Sequence, residues 1–180
     1  MLIKTFFAGF GGQGVLLMGY ALAYSAMAED KHVTYLPAYG AEVRGGTAHC
    51  TVAISDEEIA SPVASAPEFV VVMNNPSLVK FQNTIQSGGG FFLNSTLVDE
   101  RPIRGDIDVF EVPATFLAEQ IGEIRAANMV MLGAFIKQSR LVGLNSLLDN
   151  LGEIFGARRK KLIDINVAAI QKGFEALNGK

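Results

Sequence analysis

The chain has 180 residues, 49% of them apolar, with a positive mean hydropathy, which suits one domain over residues 1–180 and leaves too little for two. A formal charge of -3 and a pI near 5.4 exclude a globally basic nucleic-acid binder. The only cysteine is Cys50, which excludes an internal disulfide, a cysteine-rich zinc site and a cysteine-ligated iron–sulfur cluster built by this chain alone.

In chain order, the first predicted strand is Lys4 to Ala8, followed by "GFGGQG" and a helix that starts after Gly11. The apolar run from Val15 and the Ala26-Met27-Ala28 triplet imitate a secretory signal, but the glycines interrupt it. The uncharged run Val15 to Ala28 is also shorter than the about 18 apolar residues of a membrane span. The expectation is a cytoplasmic chain with no membrane span. Further strands are expected near Val33 to Leu36, Ala48 to Ile54, Phe69 to Met73, Gly90 to Leu93 and Val109 to Val112. Helices are expected after Pro76, after Pro113, and over Ile124 to Gln138, Leu144 to Phe155 and Arg158 to Leu177. "SGGG" at Ser87 to Gly90 reads as a helix-ending turn.

Short apolar strands such as "FVVVM", alternating with helices, predict a three-layer α/β/α fold with a Rossmann-like first βα unit. The segment Gly45 to Ser55 follows the preceding strand too closely for a helical crossover. The sheet should therefore be mixed and mostly parallel. In the last helix, Ile163, Val167, Ile170 and Phe174 form the stripe expected to dock on the core, and Arg158 to Lys161 form a solvated or subunit-facing edge. Two helices stand apart, because neither Val15 to Ala28 nor Ala126 to Ile136 offers a charged residue on any face. Both should be buried nearly all round, and two such helices suggest cover by other chains.

Gly9, Gly11 and Gly14 have the spacing G-x-G-x-x-G, with Gly12 and Gln13 between them. In a dinucleotide-binding unit these glycines allow a tight turn, approach of a pyrophosphate and close helix–strand packing. That unit also needs an acid about 20 residues on, at the end of the second strand. Here the strand ends "TYLPAYG", and neither Glu29 nor Glu42 stands in that place. The turn remains a candidate for receiving an anion, or a partner's carbonyl or carboxylate, at a helix N-terminus. Glycines needed only for close packing account for it equally well. Gln13 can fix a loop but cannot act as a general base near neutral pH.

The second constellation is "YGAEVRGGTAH", in which Arg44 precedes Gly45 and Gly46. The glycines permit a sharp reversal, and the guanidinium fork suits carboxylate or phosphate without shuttling protons. An exposed hairpin whose Arg44 pairs with Glu42 or solvent is the plainer alternative. His49 and Cys50 should face opposite sides of a strand, with Cys50 in the core, and His32 stands alone. No catalytic residue and no metal site are expected.

Taken together, "GFGGQG", "YGAEVRGGTAHC", "FVVVMN" before a proline and "NMVMLGAF" around Asn128 resemble the gamma subunit, or gamma domain, of the 2-oxoacid:ferredoxin oxidoreductases. The likeness runs from about Lys4 to Phe174. It implies a complex that oxidatively decarboxylates a 2-oxoacid, such as pyruvate, 2-oxoglutarate, a branched-chain 2-oxoacid or indolepyruvate, passing the acyl group to coenzyme A and electrons to ferredoxin. The resemblance places thiamine diphosphate between alpha and beta subunits and the iron–sulfur clusters on other subunits, with a ferredoxin-like delta subunit as a further partner. "GDID" at Gly105 lacks the third glycine of the usual thiamine-diphosphate opening. A supporting role follows, with Gly9, Gly11, Gly12, Gln13, Gly14, Arg44, Gly45 and Gly46 as candidates for contact with coenzyme A or partner subunits. The alternatives are a free-standing NAD-binding oxidoreductase domain and a structural homo-oligomer.

Overall fold

A computed structural model describes residues 1–40 and 46–177. The elements are β1 (Leu2–Phe10), α1 (Val15–Ala28), β2 (His32–Tyr39), β3 (Thr47–Ser55), β4 (Phe69–Val72), α2 (Asn75–Phe81), β5 (Gly90–Asn94), β6 (Asp108–Val112) and α3 (Ala114–Ile121). A 3-10 turn at Ile124–Ala126 leads into α4 (Ala127–Ser139), α5 (Leu144–Asp149), α6 (Leu151–Phe155) and α7 (Lys160–Ala176).

The six strands form one sheet in the order β2-β3-β1-β4-β5-β6. β3 pairs antiparallel with both β1 and β2, whereas β1, β4, β5 and β6 pair in parallel. The expected mixed sheet is present for the expected reason, since a short connection can only return antiparallel. β2 therefore runs in the direction of β1 but is separated from it by β3, which departs from a Rossmann order.

The two faces of the sheet are unequal. Phe7, Cys50, Val52, Val71 and Phe92 face the larger core with α1, α3, α4 and α7. Ala8, Val70, Val72, Phe91 and Leu93 face a smaller one closed by Leu78 and Phe81 of α2 and by Ile85 and Val98. Hence β1 sends its helix to one face and β4 sends its helix to the other. Where neighbouring strands do this, a crevice opens at their carboxyl ends.

α4 is buried along the whole run Ala127 to Ile136, and this chain alone covers it. α7 lies against it so closely that a Cβ at Gly133 would fall on the Ile170 carbonyl, and one at Gly173 on the Val130 carbonyl. The expectation of foreign cover therefore fails for α4, because a groove of small residues lets an internal helix cover it. The expected stripe of α7 does dock on the core, with Ile170 buried in it, but the deepest line of the helix runs along its small residues. Its buried residues are Asn166, Ala169, Ile170 and Gly173, while Ile163, Val167 and Phe174 pack only part-buried at the flanks. Two smaller corrections follow. The expected helix Leu144 to Phe155 breaks at Asn150, whose Nδ2 donates to the Ser146 carbonyl at 2.7 Å. α2 ends at Phe81, so the glycines at 88 to 90 turn the chain into β5, with Gly88 at φ 75°.

Candidate functional site

The glycine turn sits at the carboxyl end of β1, where the crevice begins. Gly12 and Gly14 both have positive φ, 98° and 71°, and Gly14 is the N-cap of α1. A residue with a Cβ at Gly14 would be strained by that φ and would collide with the Asn128 amide. The N-terminal turns of α1 are held by its neighbours. Tyr35 Oη donates to the Leu16 carbonyl at 3.0 Å, and Cys50 Sγ lies 3.6 Å from the Val15 carbonyl.

Three amide side chains from distant parts of the sequence fix the turn. Gln13 Oε1 accepts from the Phe10 N–H and from Asn74 Nδ2, each at 2.7 Å, and its Nε2 donates to the Met73 carbonyl at 3.3 Å. Asn74 in turn accepts the Ser77 N–H at 2.9 Å, capping α2. Asn128 Nδ2 donates to the Gly14 carbonyl at 3.2 Å. Gln13 is thus a brace across the crevice between β1 and β4, with both ends of its amide engaged inside the protein. Gly9 lies beneath it, where a Cβ would come within 2.8 Å of both Gln13 Oε1 and Val15.

The two sequence constellations meet. The Gly11 N–H donates to the Gly46 carbonyl at 3.1 Å, and the Gly40 N–H donates to the Thr47 carbonyl at 2.9 Å. Glu42, Arg44 and Gly45 lie outside the described residues. Two clefts flank the turn and share Gly12 as a wall. One, of about 250 Å³, is lined by Gln13, Met73, Leu97, Thr115, Ile124 and Arg125 among others. The other, of about 340 Å³, runs along Phe10, Val15, Leu16, Leu17, Tyr39 and Ala48.

Cys50, His49, Glu29 and Asp106, all singled out in the sequence, line neither cleft. Cys50 is fully buried, and burial pushes its thiol up to about 12, so it is no nucleophile. His49 points to the opposite face, with ring centroids 5.1 Å from Phe6 and 5.5 Å from Phe81, and burial followed by Lys80 lowers its pKa. Glu29 sits at the far end of α1, where its Oε1 accepts the Gly143 N–H at 2.7 Å. It cannot serve a ribose at the turn. Asp106 of "GDID" is paired with Arg104, which holds its carboxyl at about 2. Among the described residues no group of three or more His, Cys, Asp or Glu could hold a metal ion. Sequence reasoning missed Asn74, Ile124 and Arg125 as parts of this region. Their only sequence signals were an N-cap position before a proline and a short link between two helices.

Comparison with known proteins agrees with this layout. Residues 4–176 match the family described as pyruvate ferredoxin/flavodoxin oxidoreductase. The chain is 39% identical over 175 residues to ketoisovalerate oxidoreductase subunit VorA of Methanothermobacter thermautotrophicus, covering 96% of this chain and 36% of that protein. It thus spans about a third of the length of the VorA relatives it matches. It is 33% identical over 176 residues to 2-oxoglutarate synthase subunit KorC of Methanocaldococcus jannaschii, covering 93% of this chain and 90% of that one. The solved gamma subunit of a keto/oxoacid ferredoxin oxidoreductase from Geobacter sulfurreducens superposes with a TM-score of 0.83 at 25% identity, over 97% of each chain.

Proposed function

The chain belongs to the pyruvate ferredoxin/flavodoxin oxidoreductase family, and on that premise we propose that it is the gamma subunit of a multi-subunit 2-oxoacid:ferredoxin oxidoreductase. The observation that carries this reading is a braced glycine turn joined to Gly46, lying between two clefts with no Asp, Glu, His, Cys or Lys among the described residues that line them. Such a site binds and positions; it does not perform the chemistry.

In the assembled enzyme, thiamine diphosphate and iron–sulfur clusters supply decarboxylation and electron transfer. The residues of this chain fit neither group, because Cys50 is single and buried and Asp106 is engaged by Arg104. Alpha and beta subunits, with a ferredoxin-like delta subunit, carry those groups in this proposal, and ferredoxin takes the electrons. Among the described residues no helix is long and apolar enough to cross a membrane, which is compatible with a cytoplasmic complex. Purification with alpha and beta chains tests the assignment. Stable co-elution is expected, and a monodisperse monomer that never associates would overturn it.

The same reading gives Arg44 a role toward coenzyme A. Arg44 stands two residues before Gly46, whose carbonyl accepts the Gly11 N–H, and a guanidinium fork suits the phosphates of the coenzyme. Arg44→Ala in the assembled enzyme should raise KM for coenzyme A about 10-fold with kcat little changed. An unchanged KM removes the role.

A further inference from the structure

The two clefts beside the glycine turn adjoin each other, because Gly12 walls both of them. Around the smaller cleft, Leu97, Phe116 and Ile124 are 46%, 51% and 52% exposed, an unusual grouping of large apolar side chains on the outside of a domain. Arg125 is the one charged residue among the described residues lining either cleft. It pairs with no carboxylate among the described residues, and nearby Glu123 directs its own carboxylate at the Arg125 backbone N–H. The seat that the two clefts make is open and apolar at its rim. That form suits a polypeptide better than an enclosed small molecule.

We propose that this seat receives a segment of a companion subunit bearing apolar anchors around a single carboxylate, the anchors filling the clefts on either side of Gly12 and the carboxylate meeting Arg125. The proposal builds on the gamma-subunit assignment and names where the partner binds. KorC consists mostly of this domain, so any surface with which that protein meets other chains lies largely on the domain itself. An apolar pocket with one unpaired cation at its rim supplies both the anchoring and the register of such a contact. The sheet's carboxyl edge carries it because the β1/β4 crevice leaves a depression there.

The test measures association of the whole chain with its companion subunits for wild type, Ile124→Asp, Arg125→Glu and Ile103→Asp. Ile103 is 84% exposed and lines neither cleft, so its variant reports the cost of a surface charge elsewhere. Ile124→Asp should weaken association at least roughly 30-fold, Arg125→Glu about 10-fold with a changed salt dependence, and Ile103→Asp no more than about 2-fold. Circular dichroism checks that each variant is folded, and Arg125→Glu, a surface change, keeps the test open if Ile124→Asp unfolds. Association of both cleft variants within about 3-fold of wild type would overturn the proposal. So would self-association of the isolated chain that Ile124→Asp abolishes, which would make the occupant a second copy. Saturable binding of coenzyme A alone that Arg125→Glu abolishes while assembly is unchanged would also overturn it. If wild type itself never associates, the gamma-subunit assignment fails and the seat fails with it.

Discussion

α1 and α4 are both helices without a charged residue over most of their length, and the protein treats them differently. α4 is enclosed by its own chain from Ala127 to Ile136. α1 buries Met18, Ala21, Leu22 and Ser25 but leaves Tyr20 and Met27 exposed, with Leu16, Leu17 and Tyr24 part-buried. An absence of charge therefore marks a helix that avoids water, and does not say which molecule provides the cover. What separates the two is a partner helix with small residues. Gly173 lets α7 close over α4, whereas among the described residues no helix lies over the outer face of α1, where Tyr20 and Met27 stay exposed.

That contrast can be broken most severely at the α4–α7 crossing. Gly173→Ala should force the helices apart at the Val130 carbonyl and cost about 3 kcal/mol, lowering Tm by roughly 6–12 °C in calorimetry. A Tm within 2 °C of wild type would mean that the two helices are not in close contact. Gly14→Ala should cost about 2 kcal/mol through its φ of 71° and the Asn128 collision. It should also weaken assembly, because both clefts depend on the turn. By contrast, Met27→Lys on the outer face of α1 should change the stability of the isolated chain by less than about 0.5 kcal/mol. A loss above 2 kcal/mol in denaturant unfolding would show that α1 is covered as fully as α4.

The smallest effect is expected at the amino edge of the sheet, away from both clefts. Asp56 pairs with Lys31 at 2.6 Å and with the Met1 ammonium at 3.0 Å, and hydrogen bonds from these groups, Lys31 first, hold its carboxyl at about 2 rather than 3.8. Its folded-state pKa is depressed, so its contribution is complete above about pH 3.8 and is lost as pH falls through about 2. Asp56 is half exposed, and the effect should be slight. Asp56→Asn should flatten the fall in Tm between pH 4 and pH 2 without altering association. An identical acid limb in both proteins would show that the pair contributes nothing.

Much of the fold was legible because it is written in short windows. Alternation marked the strands, proline marked the starts of α2 and α3, and a connection too short for a crossover identified β3 as the antiparallel strand. The break at Asn150 was hidden because the apolar pattern continues through it. Of the candidate site, the glycine spacing and the inert Cys50 could be read directly. Gln13 could be recognised as a loop-fixing residue, but its partners could not.

By itself, then, the sequence determined local conformations and the family likeness, since each depends on residue types at short spacing. Only the tertiary structure decided that Gly11 meets Gly46, that Asn74 and Asn128 brace the turn from 61 and 114 residues away, and that α7 rather than another chain encloses α4. These are matters of shape between segments far apart in the chain. A helix without charge records its need for cover, but the covering surface is specified elsewhere, by small residues whose meaning appears only when the two helices touch.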